Sequence, residues 1–329
     1  MKELKQDIQT GEIKKLYLLT GDETYLKKHY ELQIRRKLLT EEQELFNLNI
    51  FEGKEAEAQK IIDAIQTPPF MADRRLIIVR LSNLFTSERK ADGEGFAKVF
   101  SELPEDVCVV FVEEKADKRS KIYKAAAKAG FVVELGPLTE KDMVIWIKSL
   151  FKKAGLSIST DTARFLLRHV GSDMETINEE SQKLINFRNQ GDITAQDIED
   201  ICAKSIEANI FDLVDAVGEK RLERAVAQYR SMLVSKEPPI RILFMVTRQI
   251  RMIYQSMILS EQGLGRAEIA KALGVRDFII RVCLNQAKNF NTDILRNALE
   301  DCLKTDMSIK TGRMKDDTAV ELLIVKYGC

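Results

Sequence analysis

Gln66–Arg80 reads QTPPFMADRRLIIVR, and its second half decides the fold. Leu76-Ile77-Ile78-Val79 is a short all-apolar run bounded by arginines, the pattern of a strand buried on both faces. Such strands belong to parallel sheets covered by helices rather than to half-solvated antiparallel ones. Pro68 and Pro69 fit inside neither that strand nor a helix, because proline lacks an N–H donor and fixes φ. Phe70 and Met71 therefore fall on a stiffened connection at the strand entrance. Two readings of that pair stand side by side: they fold back as caps on the core, as large apolar side chains commonly do, or they project as a plug for a pocket on a partner.

Working outward, the flanks alternate strand and helix. Upstream, strand Leu16–Leu19 ends in Thr20-Gly21-Asp22 and leads into a helix from Glu23 to about Leu39. Leu48–Phe51 is a second strand, and Lys54–Ile65 an amphipathic helix with Ala58, Ile61, Ile62 and Ile65 on one face. Downstream come a helix over Glu94–Leu103, the very apolar strand Val107–Val112, a basic helix Lys118–Ala129 closed by Gly130, and the strand Phe131–Leu135. This alternation predicts an α/β domain over residues 1–140 with a mostly parallel sheet. After Pro137 every periodic segment is helical. Residues 141–210 read as a small all-α domain and 211–329 as a second one. Pro238-Pro239 starts its longest helix, where a missing N–H costs nothing.

Composition narrows the function. Lys+Arg and Asp+Glu number 51 each, so no global field draws the 329-residue chain to nucleic acid or to an anionic membrane. Five scattered cysteines and two distant histidines offer neither metal-ligand spacing nor a disulfide framework, and fit reduced thiols. The N-terminus is polar, unlike a signal peptide, and no apolar run approaches the ~20 residues of a membrane span. A cytoplasmic protein without membrane contact is expected. Ser/His/Asp sets, paired catalytic carboxylates and dinucleotide fingerprints are missing, so no cofactor and no small-molecule substrate is expected.

Three stretches bear on chemistry. The turn after the first strand is where a doubly wound fold binds phosphate, and Gly21-Asp22-Glu23-Thr24-Tyr25-Leu26-Lys27-Lys28 falls in the frame of a P-loop. Gly21 and Lys27 are in place, but Leu26 replaces the second glycine and Lys28 the hydroxyl that ligates Mg²⁺. This corner is not expected to hold ATP, although a divergent ATPase stays open as an alternative. Glu113-Glu114 after Val107–Val112 gives the outline of a Walker B strand, which suggests an ATPase scaffold whose site has lapsed. Residues 266–287 have helix-turn-helix spacing, with Arg276 and Arg281 on the second helix, which leaves a DNA-binding regulator as another alternative.

Taken together, LYLLTGDETYL, TPPFMADRRLIIV, DKRSKIYKAAAKAG, VVELGPL, NIFDLVDAV, PPIRILFMVTRQIRMI, LGVRDFIIR and TDMSIKTGRM resemble, in order and spacing, the delta subunit of the bacterial DNA polymerase III clamp loader. The resemblance implies an AAA+-like α/β domain without ATPase activity, a small all-α lid domain, and an all-α collar domain that joins other clamp-loader subunits in a ring of five. It implies a non-catalytic accessory subunit that binds and opens the sliding clamp, with primer–template DNA as a further partner within the assembly. The apolar residues that enter the clamp's pocket carry over onto Phe70 and Met71, with Pro68 and Pro69 ahead of them. The helix-turn-helix-like run then becomes collar packing.

Overall fold

The five strands of the first unit are drawn from the runs named above, and they pair in one direction. The computed structural model describes residues 2–329 and divides into a unit ending at Pro137 and a unit from Leu138 to Cys329. The first contains, in order, α1 (Lys2–Thr10), β1 (Leu16–Thr20), α2 (Thr24–Leu38), α3 (Glu41–Asn47), β2 (Leu48–Glu52), α4 (Ala58–Gln66), β3 (Arg75–Arg80), α5 (Lys90–Ser101), β4 (Val107–Val112), α6 (Lys121–Ala129) and β5 (Phe131–Glu134). Strand order is β2-β3-β4-β1-β5, and every pairing is parallel.

The sheet buries both faces, as continuous apolar strands require. Leu16, Leu18, Ile77, Val79, Val109 and Phe111 point to one face and pack with Ile61 and Ile65 of α4, Phe96 and Phe100 of α5, and Ile122 and Ala126 of α6. The alternate residues, among them Tyr17, Leu19, Leu76, Ile78 and Val110, are equally buried, and α2 lies against β4. Gly130 is a steric requirement: a Cβ there would lie 2.0 Å from the carbonyl oxygen of Leu16, so α6 can turn into β5 only without a side chain.

Two helices of this unit go beyond the sequence reading: α1, and α3 between α2 and β2. The helix expected over Lys54–Ile65 is instead a 3₁₀ turn at Gly53–Glu55 followed by α4, and the helix expected from Glu94 begins at Lys90.

The second unit runs α7 (Glu140–Lys153), β6 (Ser157–Ile158), α8 (Thr160–Val170), α9 (Met174–Phe187), β7 (Asp192–Ile193), α10 (Ala195–Ile201), α11 (Ile206–Gly218), α12 (Leu222–Val234), α13 (Pro239–Glu261), α14 (Arg266–Leu273), α15 (Asp277–Ala287), α16 (Thr292–Lys310) and α17 (Asp316–Gly328). The two-residue strands β6 and β7 pair in parallel, a small departure from the all-helical expectation. Its main core is built from α11, α12, α13, α15, α16 and α17, with Tyr229, Ile253 and Cys283 fully buried. Ser205 caps α11 by accepting from the Ala208 N–H, so this helix runs across the 210/211 boundary expected from sequence.

Candidate functional site

In a parallel sheet all strands enter from one edge and leave at the other, and doubly wound folds bind ligands at the leaving edge. That edge holds the P-loop-like corner, and several of its donors are engaged within the chain. Gly21 has φ +106°, and a Cβ there would sit 2.5 Å from the Leu135 carbonyl oxygen. Its N–H donates to the Glu114 carbonyl at 3.2 Å, and the Glu23 N–H donates to the Leu135 carbonyl at 3.0 Å. Leu26 is a core residue, and Lys27 is buried as well. The Lys27 Nζ donates to the Glu113 carbonyl at 3.1 Å, and burial lowers its pKa despite the neighbouring carboxylates. Lys28 points to solvent.

The acidic residue of the Walker B-like strand is occupied too. Glu113 is buried, and its carboxylate accepts from the Ser82 N–H at 3.1 Å, the Asn83 N–H at 3.2 Å and the Ser82 hydroxyl. Burial raises its pKa, and these hydrogen bonds oppose the rise. Leu81 and Asn83 both have positive φ, so the backbone bends left-handed on either side of Ser82 to aim these donors. Among the described residues, no cluster of His, Cys, Asp or Glu could hold a metal ion.

The entering edge is different. Pro68 is exposed, Pro69 half-buried, and the two side chains after them project: Phe70 is 55% and Met71 84% exposed. Met71 adopts φ +52°, a conformation that costs a residue with a Cβ roughly 1–2 kcal/mol. What holds the loop in this shape comes from α3. Asn47 is fully buried and pairs its amide with the backbone of Phe70 in both directions. Its Oδ1 accepts from the Phe70 N–H at 2.6 Å, and its Nδ2 donates to the Phe70 carbonyl at 2.8 Å.

Two further side chains tie the loop to α3. Thr40 and Gln43 form the capping box that starts α3. The Gln43 Oε1 accepts from the Thr40 N–H at 3.1 Å, while its Nε2 reaches the Met71 carbonyl at 3.4 Å. Arg75, buried at the start of β3, donates to the carbonyls of Phe46 at 3.1 Å and Pro68 at 3.4 Å and to the Asn49 Oδ1 at 2.6 Å. The last turn of α3 also adds apolar surface that sequence reading missed: Leu45 is 80% and Phe46 60% exposed, and the Phe46 ring centre lies 5.4 Å from that of Phe70. The signal was present in Thr40-x-x-Gln43, a capping-box pattern.

The helix-turn-helix-like pair is packed, not presented. Gly274 ends α14 in the left-handed conformation, and Phe278, Ile279, Ile280 and Cys283 of α15 are buried. Arg276 donates to the Ser172 carbonyl, and Arg281 lies 3.0 Å from the Glu140 carboxylate. A helix whose apolar face is sunk in the core and whose cations are engaged cannot lie in a major groove as a reader.

These features define an α/β protein on an AAA+-like scaffold, with its nucleotide corner filled by its own side chains and an all-parallel sheet followed by a helical unit. Comparison with known proteins agrees in detail. Residues 17–135 match the family model described as DNA polymerase III, delta subunit, and residues 207–327 that of the delta subunit's C-terminal domain. DNA polymerase III subunit delta of Bacillus subtilis is 30% identical over 331 residues, covering 98% of this chain and 95% of that one. The probable delta subunit of Aquifex aeolicus is 19% identical, covering 90% and 84%. The solved structure of the Bacillus subtilis DNA clamp loader delta protein superposes with a TM-score of 0.78 at 29% identity, covering 99% of each chain. The chain belongs to the DNA polymerase III delta-subunit family, and within the polymerase it is an accessory subunit rather than the polymerising one.

Proposed function

We propose that this chain binds the sliding clamp through Phe70 and Met71, presented behind Pro68 and Pro69, and holds it open while a clamp-loader ring sets it on primer–template DNA. The observation that carries the reading is the exposure of these two side chains on a loop held from behind. Large apolar side chains kept in water by a fixed backbone, one of them in a strained conformation, make physical sense where a partner covers them. In this reading the chain neither binds nor hydrolyses ATP: Gly21 and Lys27 persist in the P-loop frame, Leu26 and Lys28 depart from it, and the Gly21 N–H, the Glu23 N–H and the Lys27 Nζ bond to the protein itself. Nucleotide-driven work then falls to neighbouring subunits.

The helical unit is read as two parts, a lid of α7–α10 and a collar of α11–α17 that packs into the ring. The family models, one ending at residue 135 and the other beginning at 207, support that division. It puts the junction at the Ser205 cap, a few residues before the 210/211 boundary read from sequence. No helix among the described residues is long and apolar enough to cross a membrane.

The experiment is direct binding of the full chain to its cognate sliding clamp. Saturable binding that Phe70→Ala with Met71→Ala removes supports the reading. Clamp affinity that survives this double change, together with a large fall in melting temperature, assigns the pair to the core and overturns it.

A further inference from the structure

The exposed apolar surface at the entering edge of the sheet is wider than the loop. Leu45 and Phe46 belong to a different element, 24 or more residues upstream, yet the rings of Phe46 and Phe70 are neighbours and all four side chains, Leu45, Phe46, Phe70 and Met71, are more than half exposed. A seven-residue helix has no reason of its own to end in two solvent-facing apolar residues. The buried position of this last turn is taken by Asn47, the next residue. Asn47 spends both ends of its amide on the Phe70 backbone, an arrangement that fixes the loop's distance from α3.

We propose that α3 is the second half of the clamp-binding surface: Leu45 and Phe46 enter the same apolar groove of the sliding clamp as Phe70 and Met71, and Asn47 is the positioning residue that locks the two halves in register. The inference rests on the reading of the tip given above. It goes further in assigning binding contacts to a helix that the loop motif does not include, and in tying the loop's shape to one buried amide. The occupant is the clamp because the two patches are continuous: a pocket that takes Phe70 meets Phe46 at van der Waals distance beside it. Preorganisation is the physical gain, since a loop already in its bound shape loses less freedom on docking.

The test uses the full-length chain, the cognate sliding clamp and five variants, with clamp affinity, melting temperature and amide hydrogen exchange as readouts. Leu45→Ala with Phe46→Ala is expected to weaken clamp binding by at least about tenfold, in keeping with truncation of interface anchors, with the melting temperature unchanged. Asn47→Ala is expected to weaken binding to a similar degree and to speed exchange of the Phe70 amide, whose acceptor is lost. Asn47→Asp keeps that acceptor, so the Phe70 amide stays protected in it even if carboxylate–carbonyl repulsion shifts the loop. The decisive arm is a cycle: in a chain already carrying Phe70→Ala with Met71→Ala, adding Asn47→Ala should cost nothing more, because a positioning residue has nothing left to position.

If the loop double change weakens binding by at least ~100-fold while the α3 pair and Asn47→Ala leave it intact, this inference fails and the reading of the tip stands. If the loop change leaves binding intact, both fail. Equal loss of affinity from Asn47→Ala with and without the loop residues would make Asn47 a structural residue only, and would overturn its assigned role. Self-association of the free chain that the α3 change removes would give Leu45 and Phe46 to a second copy of this protein, and would overturn the clamp assignment.

Discussion

The two edges of one sheet have been treated in opposite ways. At the edge where strands leave, the chain has drawn its charges inward: Lys27 and Glu113 are buried and bonded to backbone a few ångströms apart. At the edge where strands enter, it has pushed apolar side chains outward and used polar ones, Asn47 and Arg75, as their support. Each edge inverts the ordinary rule that charges face water and apolar groups face the core. The two inversions differ in what completes them. At the charged corner Lys27 and Glu113 find their partners within the chain. The apolar tip is left facing water, with Phe70 and Met71 more than half exposed, and in the function proposed above a partner completes it. In the function proposed above, an AAA+-like scaffold has given up its ligand edge and taken on recognition at the other.

That contrast can be broken by moving each edge separately. The largest expected effect is at the tip: Phe70→Ala with Met71→Ala should weaken clamp binding by at least ~100-fold, since burying each side chain is worth roughly 1.5–3 kcal/mol and each 1.4 kcal/mol is about tenfold. The melting temperature should hardly move. Glu113→Ala should behave in reverse, leaving the Ser82 and Asn83 donors unsatisfied at a cost of about 1–3 kcal/mol, read in a denaturation curve, with clamp affinity intact. An equal effect of either change on both readouts would dissolve the distinction between a finished edge and an open one.

Two weaker effects sharpen the comparison. Burial raises the pKa of Glu113 above its ordinary 4.5. The folded state therefore holds this proton more tightly than the unfolded chain, and the stability it lends is full below the ordinary value and is lost as pH rises through the folded one. Glu113→Gln should flatten that part of the stability–pH curve, which parallel urea titrations on both proteins from about pH 4 upward would record. The smallest expected effect is none at all: MgATP titrated into the wild-type chain should give no saturable heat or fluorescence change. Micromolar binding abolished by Lys27→Ala would reopen the corner.

Much of this arrangement could be read from the letters, and the parts that could not have physical reasons. The strands were legible because Leu76–Val79 and Val107–Val112 are apolar throughout and only a doubly covered sheet accepts such runs. The lapsed phosphate corner was legible at Leu26 and Lys28, where backbone approach and metal ligation each need a specific residue type. The burial of Lys27 was not, because its direction is set by the Glu113 carbonyl 86 residues away. Phe70 and Phe51 are the same letter, yet Phe51 packs against the sheet's core and Phe70 is exposed. The backbone at Phe70 is held by the Asn47 amide, 23 positions upstream, and no local pattern announces that contact. The helix that carries Asn47 was overlooked because it is short and runs into β2 without a break, so its period has no room to show.

One feature of the tip has a mechanical consequence. Asn47 is the residue immediately before β2, and Arg75 is the first residue of β3, so both anchors of the loop sit at the roots of adjacent parallel strands. A pull on Phe70 along the strand axis is carried into β2 and β3 together. It is resisted by the ladder from Leu48↔Leu76 to Glu52↔Arg80 and by the longer one between β3 and β4. Those bonds would have to yield in shear, all at once, rather than peel one after another. A tip mounted this way can transmit tension to whatever it grips without unravelling its own base.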